Sequence, residues 1–178
     1  RTVLDYRGAS VYVDNSHDPY RLRHLKGLGE MALINLHLVR DPRGVVWSCI
    51  KNAGWSAQMA VGAWLRRQAD IIRIGREFPE GLVVLYEDLC DATDATLARI
   101  HRRCGLEPEP FDGNLRTHEH HILGNDMRLR SATLKLDTQW RAQLAPRDRE
   151  IVDSMLGKAI AHAPDPALQA IIKRYLET

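Results

Sequence analysis

The chain has 178 residues, and its 25 Lys and Arg residues nearly balance its 23 Asp and Glu residues, which leaves a formal net charge of +2. This balance excludes both a polycationic arm that coats nucleic acid and an acidic tail. With 44% apolar and 27% charged residues, the composition is that of a globular protein with a sizeable core. We therefore expect a single domain over residues 1–178, without nucleic acid as a partner.

The number of cysteines and the lack of long apolar stretches indicate where in the cell the protein is located. The three cysteines are too few and too irregularly spaced for a disulfide framework or a four-ligand zinc site. No stretch approaches the roughly 18 apolar residues of a membrane span, and no signal-peptide pattern opens the chain. These features predict a cytoplasmic location and no membrane span.

Three short β-rich runs each end in polar residues, as strands of an open sheet do. They are Val11–Val13, Ile34–Val39 and Leu82–Tyr86. The third run is continuously apolar, which is typical of a strand buried on both faces of a parallel sheet.

Helical patterns lie between and after these runs. They cover residues 21–26, 42–53, 56–77, 93–104 with Gly105 as C-cap, 146–162 and 166–176. Strands that alternate with helices favour an α/β fold.

The most informative strand end is the second, where Arg40 precedes a helix with Asp41 as its predicted N-cap and Pro42 at its first position. Ser48 lies seven residues after Asp41, about two helical turns, and so returns to the same side of the helix. Arg40 and Ser48 together suit one phosphate, as a charged fork and a hydroxyl donor. The alternative is that Arg40 pairs with a nearby carboxylate and Ser48 is an ordinary helix residue, and the spacing leaves both interpretations open.

The stretch Leu36–Ser48, Leu-His-Leu-Val-Arg-Asp-Pro-Arg-Gly-Val-Val-Trp-Ser, resembles the 3'-phosphate-binding motif of the sulfotransferases that use 3'-phosphoadenosine 5'-phosphosulfate (PAPS). Four further segments resemble parts of that family in the same order: Val13–Pro19, Tyr86–Leu89, His121–Arg128 and Leu136–Trp140. The resemblance implies a three-layer α/β fold of the P-loop-NTPase-like sulfotransferase type, with a parallel sheet flanked by helices.

The resemblance also implies roles in nucleotide binding. Arg40 and Ser48 would hold the 3'-phosphate, and Tyr86 would contact adenine. Arg128 or Arg130 would close on the same phosphate from a loop over the nucleotide.

His17 resembles the catalytic base of the family's cytosolic branch, although many other members have a lysine in the matching segment. A neutral imidazole can accept the proton of an attacking hydroxyl near pH 7. The implied reaction transfers a sulfuryl group from PAPS to a hydroxyl or amine of a small-molecule or carbohydrate acceptor, and it leaves adenosine 3',5'-bisphosphate. No metal is implied, and a homo-oligomer is left open.

One part of the family pattern is absent. The Gly-rich loop that binds the 5'-phosphosulfate should precede the Val11 strand, but only ten residues do so, and no Gly-x-x-x-x-Gly-Lys-Ser/Thr motif occurs. We expect the chain to be the C-terminal part of a longer enzyme. One alternative is a non-catalytic nucleotide-binding or oligomerisation module that retains the 3'-phosphate pocket. A second is a phosphotransferase, which would bind ATP without preferring a 3'-phosphate.

Two other patterns are weaker. Residues 27–32 match a loose Gly-x-Gly-x-x-Ala fingerprint but follow a helical stretch, whereas a dinucleotide site requires a strand there. His118, His120 and His121 crowd one polar stretch without a carboxylate pattern, so we predict no metal site.

Overall fold

The computed structural model of the chain describes residues 8–16, 18–29, 31–113 and 133–177. It is a mixed α/β structure, about 60% helical, with a small parallel sheet. The chain divides into two compact units, Arg1–Leu33 and Ile34–Thr178. The expectation of one domain stays a prediction. None of the helices described is long and apolar enough to cross a membrane.

The first unit contains one helix in its described part, α1 (Pro19–Gly27). Asp18 caps it by accepting a hydrogen bond from the Tyr20 backbone N at 2.9 Å, and Pro19 supplies the preset backbone angle of a first helical position. The helix predicted at residues 21–26 is confirmed and is slightly longer. Gly27 ends this helix and Gly29 follows it, so a helix, and not the strand that a dinucleotide site requires, leads into these glycines.

The strand predicted at Val11–Val13 is wrong. These residues have no strand structure, and the three side chains are 39%, 62% and 76% exposed. Strand propensity mainly reflects packing against neighbouring strands, and three residues without such a neighbour gain little from an extended backbone. Asp14 instead turns the chain by accepting a hydrogen bond from the Ser16 backbone N at 2.8 Å.

The second unit contains a sheet of two parallel strands, β1 (Leu36–Val39) and β2 (Leu82–Leu85). Their register pairs Leu36 with Leu82 at one end and Val39 with Leu85 at the other. The second and third predicted strands are therefore confirmed, except that Tyr86 begins a helix.

Two helices connect these strands, α2 (Pro42–Ala53) and α3 (Ala57–Gly75). Helix α2 begins as predicted, because Asp41 caps it and Pro42 occupies its first turn. It ends where Gly54 adopts a left-handed φ of 65°, a conformation that costs glycine little.

Five more helices follow in the described residues: α4 (Tyr86–Asp91), α5 (Thr93–Arg103), α6 (Trp140–Gln143), α7 (Pro146–His162) and α8 (Pro166–Leu176). The three longer ones match the predicted helices, and the two short ones, α4 and α6, were not predicted. Gly105 follows α5 with a φ of 69°, in agreement with its expected place at the helix end.

The core lies where β1, α2, α3, α7 and α8 pack together. Its fully buried side chains are Val39, Val46, Val61, Val152, Leu156 and Ile172. Full burial of such a side chain contributes about 1.5–3 kcal/mol to the hydrophobic driving force. Trp64 of α3 meets Tyr175 of α8 edge to face, with ring centroids 6.4 Å apart. This packing fixes α2, which begins at the end of β1.

A buried polar contact also holds β1. His37 is 5% exposed, and its Nε2 lies 2.7 Å from Oε1 of Gln68 in α3. Burial lowers the pKa of the imidazole, although the bond to Gln68 acts in the opposite direction. His37 is therefore a neutral donor inside the core.

The expectation that the third run is buried on both faces is wrong. Val83 of β2 is 46% exposed, and Leu38 of β1 is 54% exposed. An apolar run is fully buried only if layers cover both faces of its sheet, and the described helices leave part of this two-stranded sheet exposed.

Candidate functional site

The register of the sheet brings two predicted site residues together. Val39 pairs with Leu85, so Arg40 and Tyr86 are the next residues along the two strands. Adjacent strands lie about 4.8 Å apart. Accordingly, Cζ of Arg40 lies 4.7 Å from the centroid of the Tyr86 ring, over its face. A guanidinium in this position is attracted by the ring electrons.

Asp137 joins both of these side chains. Nη2 of Arg40 donates to Oδ2 of Asp137 at 3.0 Å and lies 3.4 Å from its backbone oxygen. The backbone N of Asp137 donates to the Tyr86 hydroxyl at 3.1 Å, and that hydroxyl donates to the Lys135 carbonyl at 3.2 Å. The Asp137 side chain is 6% exposed and that of Arg40 is 24% exposed. We call Arg40, Tyr86 and Asp137 the strand-end cluster.

The Tyr86 hydroxyl is neutral over the physiological range. Burial raises its pKa above the usual value, and the hydrogen bond from the Asp137 backbone N acts in the opposite direction. The phenol therefore keeps its proton and both accepts and donates a hydrogen bond. These two bonds tie the segment that carries Asp137 to the end of β2.

Helix α2 comes close to Arg40 at a glycine. A Cβ atom on Gly44 would lie 3.1 Å from Nε and from Nη2 of Arg40, and 3.1 Å from Cδ1 of Trp140. Only a residue without a side chain leaves this space to the guanidinium. Ser48 lies four residues further along α2, so it follows Gly44 on the same face of the helix.

Ser48 is half-buried, and its hydroxyl oxygen accepts a hydrogen bond from Nδ2 of Asn52 at 3.2 Å. The hydroxyl retains its own proton, so it remains a donor.

The next pair along the strands, Asp41 and Glu87, closes the start of α2. The Asp41 backbone N donates to Oε1 of Glu87 at 2.9 Å, and the Tyr175 hydroxyl donates to Oε2 of Glu87 at 3.0 Å. Burial raises the pKa of Asp41, against the hydrogen bond that it accepts from the Arg43 backbone N. Because a carboxylate already caps this helix, an anion nearby has to be bound largely by side chains.

Arg43 makes the contacts of a structural residue. Its guanidinium bonds to Oδ1 of Asp153 through Nε at 3.0 Å and Nη2 at 2.9 Å, and Nη1 donates to the Tyr175 carbonyl at 2.8 Å. Nη1 also lies 3.5 Å from Oδ2 of Asp41. These contacts join the start of α2 to α7 and α8.

The structure thus brings Arg40 and Tyr86 into one cluster and places Ser48 further along the adjacent helix face. Arg40 also pairs with a carboxylate, as the alternative interpretation of that residue required. His17, Arg128 and Arg130 lie outside the described residues, as do the three neighbouring histidines at 118, 120 and 121.

Sequence reasoning missed two members of this region. The sequence carried a weak signal for Gly44, because glycine costs a helix about 1 kcal/mol relative to alanine and so stands out in the first turn of a helical pattern. The stretch that contains Asp137 was noticed only for its resemblance, and nothing local indicated that its carboxylate would reach Arg40.

Two open surface depressions, of about 320 and 360 Å³, lie elsewhere in the second unit. Both are lined by Gln58, Arg147 and Ile151, and neither is lined by a residue of the strand-end cluster. In the described part of the chain, no group of three or more His, Cys, Asp or Glu side chains is arranged to hold a metal ion.

Comparison of the chain with protein-family models, with curated proteins and with solved structures finds no match.

Proposed function

We propose that this chain is the 3'-phosphate-binding part of a PAPS-dependent sulfotransferase with the P-loop-NTPase-like fold of that family. Arg40 and Ser48 bind the 3'-phosphate, Tyr86 contacts the adenine, and Arg128 or Arg130 closes on the phosphate. The support is the resemblance of Leu36–Ser48 and of the segments that follow it, together with the contacts of Arg40 and Tyr86.

The observation that supports the proposal most is the partial exposure of the Arg40 guanidinium together with its pattern of hydrogen bonds. It is 24% exposed at the carboxyl end of β1, and its hydrogen bonds to described residues all come from Nη2. Among those residues, none accepts from Nε or Nη1. A partly buried guanidinium with donors left over is suited to a phosphate, which it binds through charge-assisted bonds.

The helix face beside Arg40 supports a role for Ser48. Arg40 lies against the bare position of Gly44, and residues four apart on a helix have Cβ positions about 6 Å apart. An oxyanion between the guanidinium and the next turn can accept hydrogen bonds from both sides, each about 2.8 Å long. Ser48 offers the hydroxyl for the second of these bonds.

The contacts of Tyr86 limit how it can meet a purine. Arg40 covers one face of the ring, and the hydroxyl already bonds to the Lys135 carbonyl and the Asp137 backbone N. Tyr86 therefore contributes a π face or edge to adenine, without a hydrogen bond from its hydroxyl.

His17 is the proposed base. Its imidazole accepts the proton from the acceptor's hydroxyl or amine while the acceptor oxygen or nitrogen forms a bond to sulfur. The bond between sulfur and the bridging phosphate oxygen breaks, and adenosine 3',5'-bisphosphate leaves with that electron pair. Replacing His17 with alanine should lower turnover while leaving nucleotide affinity nearly unchanged.

The test of the binding site is calorimetric titration of the 178-residue chain with adenosine 3',5'-bisphosphate, with adenosine 5'-monophosphate as the ligand that lacks the 3'-phosphate. We expect the bisphosphate to bind at least about tenfold more tightly, and Arg40→Ala to remove about 1.5–3 kcal/mol of its binding free energy.

Arg103→Ala is the matched control, because Arg103 also pairs with a carboxylate, Glu80, at 2.7 Å but at an exposed site. It should leave both affinities unchanged. Equal affinities for the two nucleotides, or no binding by the folded chain, would overturn the proposal. Tighter binding of ATP than of the bisphosphate would favour the phosphotransferase alternative.

A further inference from the structure

We propose that Asp137 is a positioning residue that holds Arg40 in the orientation that receives the 3'-phosphate. This inference rests on the proposed function, and it assigns to the site a residue that does not itself contact the nucleotide.

Asp137 is itself firmly held. Its Oδ1 accepts a hydrogen bond from the Gln139 backbone N at 3.1 Å, just before α6 begins. The next residue, Trp140, is 8% exposed and belongs to the core. The Asp137 carboxylate is therefore fixed by the backbone that leads into a buried aromatic side chain. It provides Arg40 with a rigid partner.

Three neighbouring residues restrict the conformations of the Arg40 side chain. The Tyr86 ring lies against one face of the guanidinium, Gly44 of α2 approaches it closely, and Asp137 binds Nη2. A free arginine side chain has many rotamers, and ordering it on binding opposes affinity. An arginine already ordered by these contacts avoids that loss, and no described residue accepts a hydrogen bond from its Nε or Nη1.

The charge of Asp137 acts against phosphate binding, whereas its ordering of Arg40 favours it. The negative carboxylate lies close to the proposed phosphate site. Like charges repel, so a carboxylate that acted only through its charge would weaken phosphate binding. If Asp137 acts by positioning Arg40, removing the carboxylate weakens phosphate binding. If it acts only by repulsion, removing it strengthens binding, so the direction of the change tests the inference.

The experiment is a double-mutant cycle on the full chain: wild type, Asp137→Ala, Arg40→Ala and the double variant, each titrated with adenosine 3',5'-bisphosphate and adenosine 5'-monophosphate. We expect Asp137→Ala to weaken bisphosphate binding about tenfold and monophosphate binding less than about threefold. In the Arg40→Ala background, removal of Asp137 should not weaken bisphosphate binding further, because there only the repulsion between the carboxylate and the phosphate is removed. Glu80→Ala, which removes the carboxylate partner of exposed Arg103, is the matched control and should change neither affinity.

Asp137→Asn provides a second variant of nearly unchanged shape. A single amide oxygen cannot face both the Gln139 N–H and the Arg40 guanidinium, so one contact is lost and bisphosphate binding should weaken here as well. This variant answers the question even if the alanine variant does not fold.

The outcomes separate the inference from the proposed function. A wild-type chain without a preference for the bisphosphate overturns both. A wild-type preference that survives Asp137→Asn and Asp137→Ala unchanged, or becomes stronger, overturns only the positioning role. Equal losses for both nucleotides mean that Asp137 is merely structural, which also contradicts the inference.

Discussion

Arg40 and Arg43 lie three residues apart at the start of the same helix, yet their surroundings differ. The Arg43 side chain is 10% exposed, and all three of its nitrogens contact oxygen atoms of α7, α8 or the helix cap. The Arg40 side chain is 24% exposed, and only one of its nitrogens bonds to described residues.

The contrast separates an arginine held within the fold through all three of its nitrogens from one that is held, among the described residues, through one nitrogen. A guanidinium whose three nitrogens all contact protein oxygens is part of the fold, because a ligand would have to compete with protein groups at each nitrogen. A guanidinium held by one nitrogen and one ring face is ordered but still has donors to offer. The presence of an arginine alone therefore does not distinguish these two side chains, whereas the number of nitrogens that contact described residues does.

The largest effect that we expect from replacing one of these arginines is the effect of Arg43→Ala on the free energy of unfolding. Arg43→Ala leaves the Asp41 carboxylate, 11% exposed, without its guanidinium partner and frees the Tyr175 carbonyl. Removing one member of a buried ion pair costs about 3–5 kcal/mol. We expect a loss of that size in the free energy of unfolding measured with urea.

The same variant should keep its nucleotide affinity in the folded fraction, when titrated well below its melting temperature. Arg103→Ala, at an exposed ion pair, should lose less than about 1 kcal/mol of stability and serves as control. If Arg43→Ala instead lost nucleotide binding at unchanged stability, the division between the two arginines would be incorrect.

A second prediction concerns how stability depends on pH through His37, which lies in β1, the strand that leads to Arg40. The pKa of buried His37 lies below its usual value, so the unfolded chain takes up a proton at higher pH than the folded chain does. His37 therefore adds stability at neutral pH that is lost as the pH falls below about 6.5, with a slope of up to about 1.4 kcal/mol per pH unit.

Urea unfolding between pH 5 and 7.5 measures this loss. His37→Gln keeps an amide donor for Gln68 but does not titrate, so its unfolding free energy should decline less on acidification than that of the wild type. Parallel pH profiles for the two proteins would show that the imidazole does not contribute.

The smallest expected effect comes from a substitution that crowds the Arg40 side chain and not that of Arg43. Gly44→Ala puts a methyl group 3.1 Å from two nitrogens of Arg40 and from the Trp140 ring. Arg40 has to shift, so we expect a loss of about 1 kcal/mol in bisphosphate binding by calorimetry, comparable to one weakened hydrogen bond. Stability should change by less, because alanine favours the helix by about 1 kcal/mol over glycine and offsets part of the strain. Unchanged affinity would mean that Arg40 adapts freely and is not confined by α2.

Local signals in the sequence were enough for most of the described fold. The Asp41-Pro42 pair marked the start of α2, and the apolar runs marked β1 and β2 with their polar ends. Knowing that parallel strands end at a common edge made the proximity of Arg40 and Tyr86 predictable as well.

What could not be predicted depends on distant partners. Asp137 lies 97 residues from Arg40 in sequence, and no local pattern encodes such a contact. Val11–Val13 shows the converse, because the residue types favour a strand but strand formation requires a neighbouring strand, and none of the described strands pairs with these residues. Exposure of Val83 was missed for the same reason, since composition does not reveal how many layers cover a sheet.

The bonds made by Tyr175 have a consequence for the order of events during translation. Its carbonyl accepts from Arg43 across 132 residues of sequence, and its hydroxyl donates to Glu87 across 88. A nascent chain cannot close these contacts before α8 has emerged from the ribosome, and contacts of such separation slow folding. The start of α2, although synthesised before α8, therefore gains these partners only after α8 has emerged.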